Sequence, residues 1–405
     1  MVSLVLARLL GVSGYGTYAY AVSWALLLSV PAGLGMDALL TREVARYQTQ
    51  GDQPASGRVL WWSIRVALSS SGVVVLLAAS CIYFFQQRIE PATEAALWTA
   101  LSILPVWVLL RLQQGAILGL GRVVSALAPQ LLLHPALLLA LAGVLFLSGP
   151  LNAPLTVGVY AIAAALALLR GGRVLRTLLR VRKNYTIQAE HVQMWWRGIW
   201  PLFVAATAGM LNDLIAVILL GILANTESAG VFDVARKMAI LVSFGLAAIS
   251  MPLAPTVAKL HASGNHSQLQ RVIVRSARAS FLTALPVAIG LIAVGQWGLS
   301  LFGRAFQSGF VALIILCLGQ LVNAYTGSVA VVLNMTGHSR DVAHGVLAAA
   351  ILNTLLSILL IPRWGLEGAA VATVVGIIVF NVLLTMRVHQ RLGIRVSRLG
   401  INKAD

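Results

Sequence analysis

The sequence predicts an all-α polytopic membrane protein built from two pseudo-symmetric six-helix bundles. Three observations carry that expectation. Of 405 residues, 59% are hydrophobic and 10% charged, whereas soluble domains carry about 25% charged residues. Apolar stretches recur along the whole chain, each near the ~20 residues with which a helix crosses a hydrocarbon core of roughly 30 Å. The alternating strands of about 10 residues that a membrane barrel needs are not seen. Finally, one loop is written twice. Val44-Ala45-Arg46, Gly51-Asp52, Arg58-Val59 and Arg65 recur 213 positions later as Val257-Ala258-Lys259, Gly264-Asn265, Arg271-Val272 and Arg278. Gly16-Thr17-Tyr18 matches Gly230-Val231-Phe232, and Gly121 matches Gly337, at nearly the same spacing. A parallel repeat in so apolar a chain is the pattern of a two-lobed transporter.

Spans are expected at 17–40, 59–85, 95–118, 124–147, 153–170, 198–222, 229–255, 279–301, 308–334, 341–361 and 365–388. Residues 1–10 read as the end of a further helix. Projected back through the repeat, the span at 198–222 begins about sixteen residues before Met1, so twelve helices are expected with the first one truncated. The corresponding divisions are an amino-terminal lobe over 1–172, a basic linker over 173–197, a carboxy-terminal lobe over 198–389 and a basic tail over 390–405.

The net charge of +17 is laid out for topology, and no nucleic-acid partner is expected. Twenty-two of the 29 Lys and Arg residues fall in alternate loops and tails, and the intervening loops hold only Arg88, Arg304 and Arg363. The positive-inside rule then places both ends of the intact chain in the cytoplasm of a cell membrane. The linker, with Trp195-Trp196-Arg197 at its end, is expected to lie as an amphipathic segment on the anionic leaflet, with membrane lipids as partners. Cys81 and Cys317 read as small core residues.

Nothing in the chain supports an enzyme. No nucleophile–base pair, nucleotide loop or metal-ligand cluster is visible, so no catalytic residue, metal or cofactor is expected. His134, before Pro135, reads as a packing residue. The informative positions are ionisable groups inside spans, each costing at least about 2.5–3.5 kcal/mol on insertion scales. Asp213 lies mid-span beside Asn212. Asp233, Arg236 and Lys237 stand at i, i+3 and i+4 on one helix face, which suits an internal ion pair. Arg8 and Arg111 are the in-span cations of the first half, and Asp37 is expected to pair with Arg42 in a structural role. Cations outnumber deep acids, which suits an anionic substrate such as a pyrophosphate. In-span prolines, Pro31, Pro105, Pro129, Pro135, Pro201, Pro252, Pro255 and Pro286, permit kinks.

Several stretches resemble a known family. Ala7-Arg8-Leu9-Leu10-Gly11 with Tyr15-Gly16-Thr17-Tyr18 resembles the opening of the Wzx-like polysaccharide-biosynthesis flippases. Gly33-Leu34-Gly35-Met36-Asp37 with Ala45-Arg46-Tyr47, and Leu118-Gly119-Leu120-Gly121-Arg122, are similar to that family's next stretches. Asn212-Asp213, Gly221 and Ala235-Arg236 resemble its second half. The resemblance implies membership of the multidrug/oligosaccharidyl-lipid/polysaccharide exporter superfamily, with two six-helix lobes and a central cavity. It implies a flippase for a polyprenyl-pyrophosphate-linked oligosaccharide, an O-antigen or exopolysaccharide unit, working by alternating access. Arg236, Lys237, Arg111 and Arg8 would hold the anion, Asp233 would neighbour them, and Asp213 would shape the field or couple H⁺ or Na⁺. Glycan polymerase and glycosyltransferase machinery would be the protein partners. The alternatives are a drug or metabolite-cation antiporter of the same superfamily, whose cavity would be acidic, and a glycan polymerase or ligase, which would need a large outer loop.

Overall fold

The computed structural model describes residues 2–178 and 189–394. The expectations that rest on Arg180, Arg182, Lys183, Arg395, Arg398 and Lys403 lie outside the described residues. The described chain is helical and divides into two compact units after Met210. The first holds α1 (Val2–Gly33), α2 (Met36–Thr49), α3 (Gln53–Phe85), α4 (Pro91–Leu101), α5 (Ile103–Gly119), α6 (Val123–Ala128), α7 (His134–Ser148), α8 (Ala153–Leu178) and the start of α9 (Ala189–Leu223). The second continues α9 and adds α10 (Thr226–Ala239), α11 (Phe244–Ala262), α12 (His266–Ser300), α13 (Phe310–Thr326), α14 (Val329–Met335) and α15 (Ser339–Leu392).

Among the described residues, nine helices are long and apolar enough to cross a membrane, or ten when the bent pair α1–α2 is taken as one span. The 54 residues of α15 would make a rod of about 80 Å at 1.5 Å per residue, far beyond one crossing. Its backbone leaves the helical region at Gly365 (φ 53°, ψ −121°). That break divides it into two passes where spans at 341–361 and 365–388 were expected. A similar break at Gly11 (φ 70°, ψ −178°) separates residues 2–10 from the rest of α1.

The duplicated loop is a duplicated turn. Gly51 (φ 73°) and Gly264 (φ 67°) take the left-handed conformation that closes α2 and α11. Glycine adopts it without steric cost. In both turns the following amide reaches back to the helix, Asp52 N–H to the Tyr47 carbonyl at 3.0 Å and Asn265 N–H to that of Leu260 at 3.1 Å. The same residues then cap the next helix, Asp52 accepting from Ala55 N–H at 2.9 Å and Asn265 from Gln268 N–H at 3.1 Å. Short Asx side chains satisfy first-turn amides in this way. Gly121 and Gly337, both with positive φ, repeat the turn one helical pair later, Arg122 N–H reaching back to the Ile117 carbonyl at 3.2 Å and His338 N–H to that of Leu333 at 2.8 Å, but without a side-chain cap.

Several expected continuous spans are interrupted. The span at 17–40 breaks at Leu34 (φ 50°) and Gly35 (φ 68°), and α1 and α2 meet at 48°. Pro31, which has no amide hydrogen, lies one turn upstream and weakens the last helical turn. The 95–118 span runs through as one span, Pro91–Gly119, with only Ser102, itself helical in backbone, between α4 and α5. The 308–334 span breaks at Gly327 (φ 69°). Residues Pro129–Leu133 form a π turn in which His134 N–H donates to the Pro129 carbonyl. Pro135 accounts for it, because its ring clashes with the carbonyl four residues back and widens the helix.

The linker expected over 173–197 is helical at both described ends, α8 running on to Leu178 and α9 starting at Ala189. Trp195 does not lie on a lipid surface. It is 2% exposed in the first unit's core beside Met36, Leu40 and Val59, with its ring 5.0 Å from that of Trp62. Buried area outweighs the interfacial preference of a tryptophan here. Trp196 stays partly exposed. The carboxy-terminal end of α9 belongs to the second unit, whose core gathers Leu253, Val257, Leu269, Ile273, Val332, Leu333 and Leu384. Of the cysteines, Cys317 is buried as expected, but Cys81 is exposed on α3.

Polar side chains tie the second unit together inside its spans. Asn353, fully buried, donates to the Asn212 carbonyl at 3.2 Å and to its Oδ1 at 3.3 Å, and accepts from Ser357 Oγ at 3.3 Å. Asn381 accepts from Thr326 Oγ1 at 2.6 Å and donates to Asn323 Oδ1 at 3.1 Å. Asn353→Leu orphans the Ser357 hydroxyl and should cost about 1–2 kcal/mol. Thermal unfolding in detergent checks this, and an unchanged Tm would show the bonds to be dispensable.

Candidate functional site

The first unit's site is built by a close crossing of α2 and α5. Gly115 and Gly119 lie one turn apart on the face of α5 that meets α2. A Cβ at Gly115 would stand 2.2 Å from the Asp37 carbonyl oxygen, and one at Gly119 2.9 Å from that of Thr41. Only glycine permits such backbone contact. Thr41 Oγ1 bridges the crossing, donating to the Asp37 carbonyl at 2.9 Å and the Gly115 carbonyl at 3.1 Å. Arg111 sits one turn before Gly115 and so lands over the Asp37 side chain. Its Nη2 and Nε donate to Asp37 Oδ2 at 2.6 and 3.1 Å.

Asp37 does not pair with Arg42. Five residues along a helix turn Arg42 about 140° away from Asp37. It pairs instead with Glu43 at 3.0 Å, which also takes Arg46 at 3.6 Å. The Asp37–Arg111 pair lines a cavity of about 510 Å³ with Leu26, Ala38, Thr41, Trp107, Gln114, Gly115, Leu118, Gln130 and Met210. Both side chains are about a quarter exposed. Arg111 offers five N–H donors and spends two on Asp37. The rest can take a second oxyanion, with guanidinium geometry suited to phosphate. Behind Trp107, His134 packs edge-on to Tyr160 and Trp107, with ring centroids at 4.5 and 5.6 Å.

In the second unit the helical spacing brings the expected trio together on α10. Asp233, 5% exposed, accepts from Arg236 Nη2 at 3.1 Å and from Lys237 Nζ at 2.6 Å. Arg236 is 19% exposed and Lys237 43%, so Arg236 is the more enclosed cation. Asp213 on α9 is exposed and feels the charge of Arg236. Arg8 is exposed on α1. Asp37, Asp213 and Asp233 are thus the in-span carboxylates to count against the four in-span cations. That is a smaller cationic surplus than one with Asp37 assigned to Arg42.

The described residues form an all-α polytopic membrane fold. Solved structures with the same fold include an inward-facing multidrug resistance MATE family transporter of the MOP superfamily (TM-score 0.79, 14% identity, covering 96% of this chain and 94% of that one). Another is the lipid II flippase MurJ in its inward closed conformation (TM-score 0.76, 14% identity, 96% and 84% coverage). The family described as "Polysaccharide biosynthesis protein" matches residues 1–261, and the chain belongs to that family. Its curated relatives include two proteins of Haloferax volcanii. They are the "Probable flippase AglR" (27% identical over 210 residues, 49% of this chain and 44% of that protein) and the "Probable low-salt glycan biosynthesis flippase Agl15" (26% over 184 residues, 44% and 38%). The match thus spans less than half the length of either relative.

Proposed function

We propose that the protein is a flippase that moves a polyprenyl-pyrophosphate-linked oligosaccharide across the cell membrane by alternating access. The observation that carries this reading is Arg111, held on Asp37 in a 510 Å³ cavity inside a membrane-crossing segment with N–H donors to spare. A charge at that depth needs a partner or a wet cavity, and a phosphate fits the unused donors. Family membership and the flippases named among the relatives point the same way. Arg236 supplies the corresponding guanidinium in the second unit, with Lys237 as a more exposed auxiliary and Arg8 as a further cation. Asp213, near Arg236, is the position for H⁺ or Na⁺ coupling. Glycosyltransferase or polymerase machinery would deliver and consume the substrate.

Reconstitution in proteoliposomes tests this, following translocation of a fluorescent polyprenyl-pyrophosphoryl oligosaccharide. Arg236→Ala, expressed at the wild-type level, should slow translocation at least about tenfold, equivalent to losing one charge-assisted contact. Lys237→Ala should cost less. Full activity of Arg236→Ala removes that residue from the substrate path, and no translocation by the wild type removes the flippase reading.

A further inference from the structure

The two copies of the duplicated loop use their arginines differently. In the first unit Arg58 Nη2 pairs with Asp52 at 3.4 Å, and the Arg65 guanidinium lies over the Trp61 ring. Trp62 between them is buried against Trp195. In the second unit the corresponding positions, 213 residues on, read Asn265, Arg271, Val274, Arg275 and Arg278. The acid has become an amide, the stacking ring a valine and the buried tryptophan a third arginine. No Asp or Glu occurs between Asp233 and Asp341. Among the described residues, the Arg271 and Arg275 side chains have no ionic or hydrogen-bond partner.

Helix α12 sets where these charges stand. Arg271, Arg275 and Arg278 follow at i, i+4 and i+7, one line along a helix, and all three are exposed. Leu269 and Ile273, two residues earlier and so about 200° around the helix, are buried in the second unit's core with Ala277. The arginine line continues through Leu282 and Ile289, which are 68% and 58% exposed within a membrane-crossing helix. Exposed leucine and isoleucine at that depth face lipid, so the arginines lie on the lipid-facing line. From Ala279 to Ser300 the helix carries no charge, a rise of about 33 Å that matches one hydrocarbon core. Arg278 therefore stands at the edge of that core, with Arg275 and Arg271 about 5 and 10 Å farther out, in the headgroup layer.

We propose that Arg271, Arg275 and Arg278 form a docking stripe for the phosphate headgroups of anionic phospholipids in the leaflet on that side of the membrane. A guanidinium presents a planar fork that matches phosphate oxygens, and its aliphatic stem packs along the acyl boundary. Anionic lipid attracts basic residues at a bilayer surface, and here no acid on the segment competes for them. A role in topology alone needs the charges. It needs neither their alignment with Leu282 and Ile289 nor the replacement of the acid that holds Arg58 in the first unit. The proposal does not depend on what the protein transports.

Native mass spectrometry of the purified full chain, titrated with phosphatidylglycerol or phosphatidylcholine, tests this. The wild type should bind its first phosphatidylglycerol at least about tenfold more tightly than phosphatidylcholine. Arg271→Gln/Arg275→Gln/Arg278→Gln should bring that ratio to within about twofold, while binding phosphatidylcholine and unfolding thermally as the wild type does. Should the triple variant not fold, Arg275→Gln alone decides, with an expected loss of about threefold in the preference. Equal wild-type affinity for the two lipids overturns the proposal, and so does a preference that survives in the variants, which leaves the arginines a role in topology alone. Displacement of phosphatidylglycerol by an equal concentration of inorganic phosphate also overturns it, because the ligand would then be a free anion.

Discussion

Gly115→Val should abolish translocation and sharply reduce the yield of folded protein. Even the first carbon of the new side chain would lie 2.2 Å from the Asp37 carbonyl oxygen and 2.9 Å from its carbonyl carbon. Ordinary contact needs well over 3 Å. The obstructing atoms are backbone, so no rotamer change relieves the clash, and α5 must move away from α2. Overpacking a core costs typically 1–3 kcal/mol when side chains can yield, so the cost here should be about 3 kcal/mol or more. The movement also separates Arg111 from Asp37 and breaks the Thr41 bridge to the Gly115 carbonyl. Activity should therefore fall even in the fraction that folds. Gly143→Ala is the matched control, since nothing lies within 4 Å of its added carbon and alanine is the better helix former. Thermal unfolding in detergent and translocation in vesicles measure both effects. Wild-type behaviour of Gly115→Val would mean that α2 and α5 do not approach this closely.

The difference between these glycines marks where sequence reasoning succeeds and where it stops. The paired turns at Gly51-Asp52 and Gly264-Asn265 were legible because a helix stop and an Asx cap act within a few residues. Asp233, Arg236 and Lys237 were legible for the same reason, since i, i+3 and i+4 fix a shared face before any tertiary contact forms. Asp37 was read locally and assigned to Arg42, yet its partner lies 74 positions away. Nothing local identifies that pairing, although an arginine followed at four and eight residues by Gly115 and Gly119 marks a face built for close approach. The break at Leu34–Gly35 was obscured because hydrophobicity continues across it, and hydropathy does not sense backbone direction. Trp195 was misplaced for a related reason, since a tryptophan beside arginines suits a membrane surface and a core equally well.

The pair Asp37–Arg111 should separate stability from transport in a double-mutant cycle. Asp37→Asn leaves the guanidinium without its counterion, and Arg111→Gln leaves the carboxylate alone. Both side chains are about a quarter exposed, 27% and 26%, so each single change should cost about 1–3 kcal/mol, below the 3–5 of a fully buried pair. Neutralising both together should recover much of that loss, with a coupling of about 1–2 kcal/mol. Transport should follow a different order. Asp37→Asn keeps Arg111 and frees its donors, so it should retain substrate binding while unfolding at lower temperature. Arg111→Gln should lose at least tenfold in translocation, and Asp37→Asn/Arg111→Gln should remain inactive despite its recovered Tm. A purely structural ion pair predicts the opposite, with activity returning alongside stability in the double variant. That outcome would take Arg111 out of the phosphate site, because a residue whose charge matters only for folding is not needed once its partner's charge is gone.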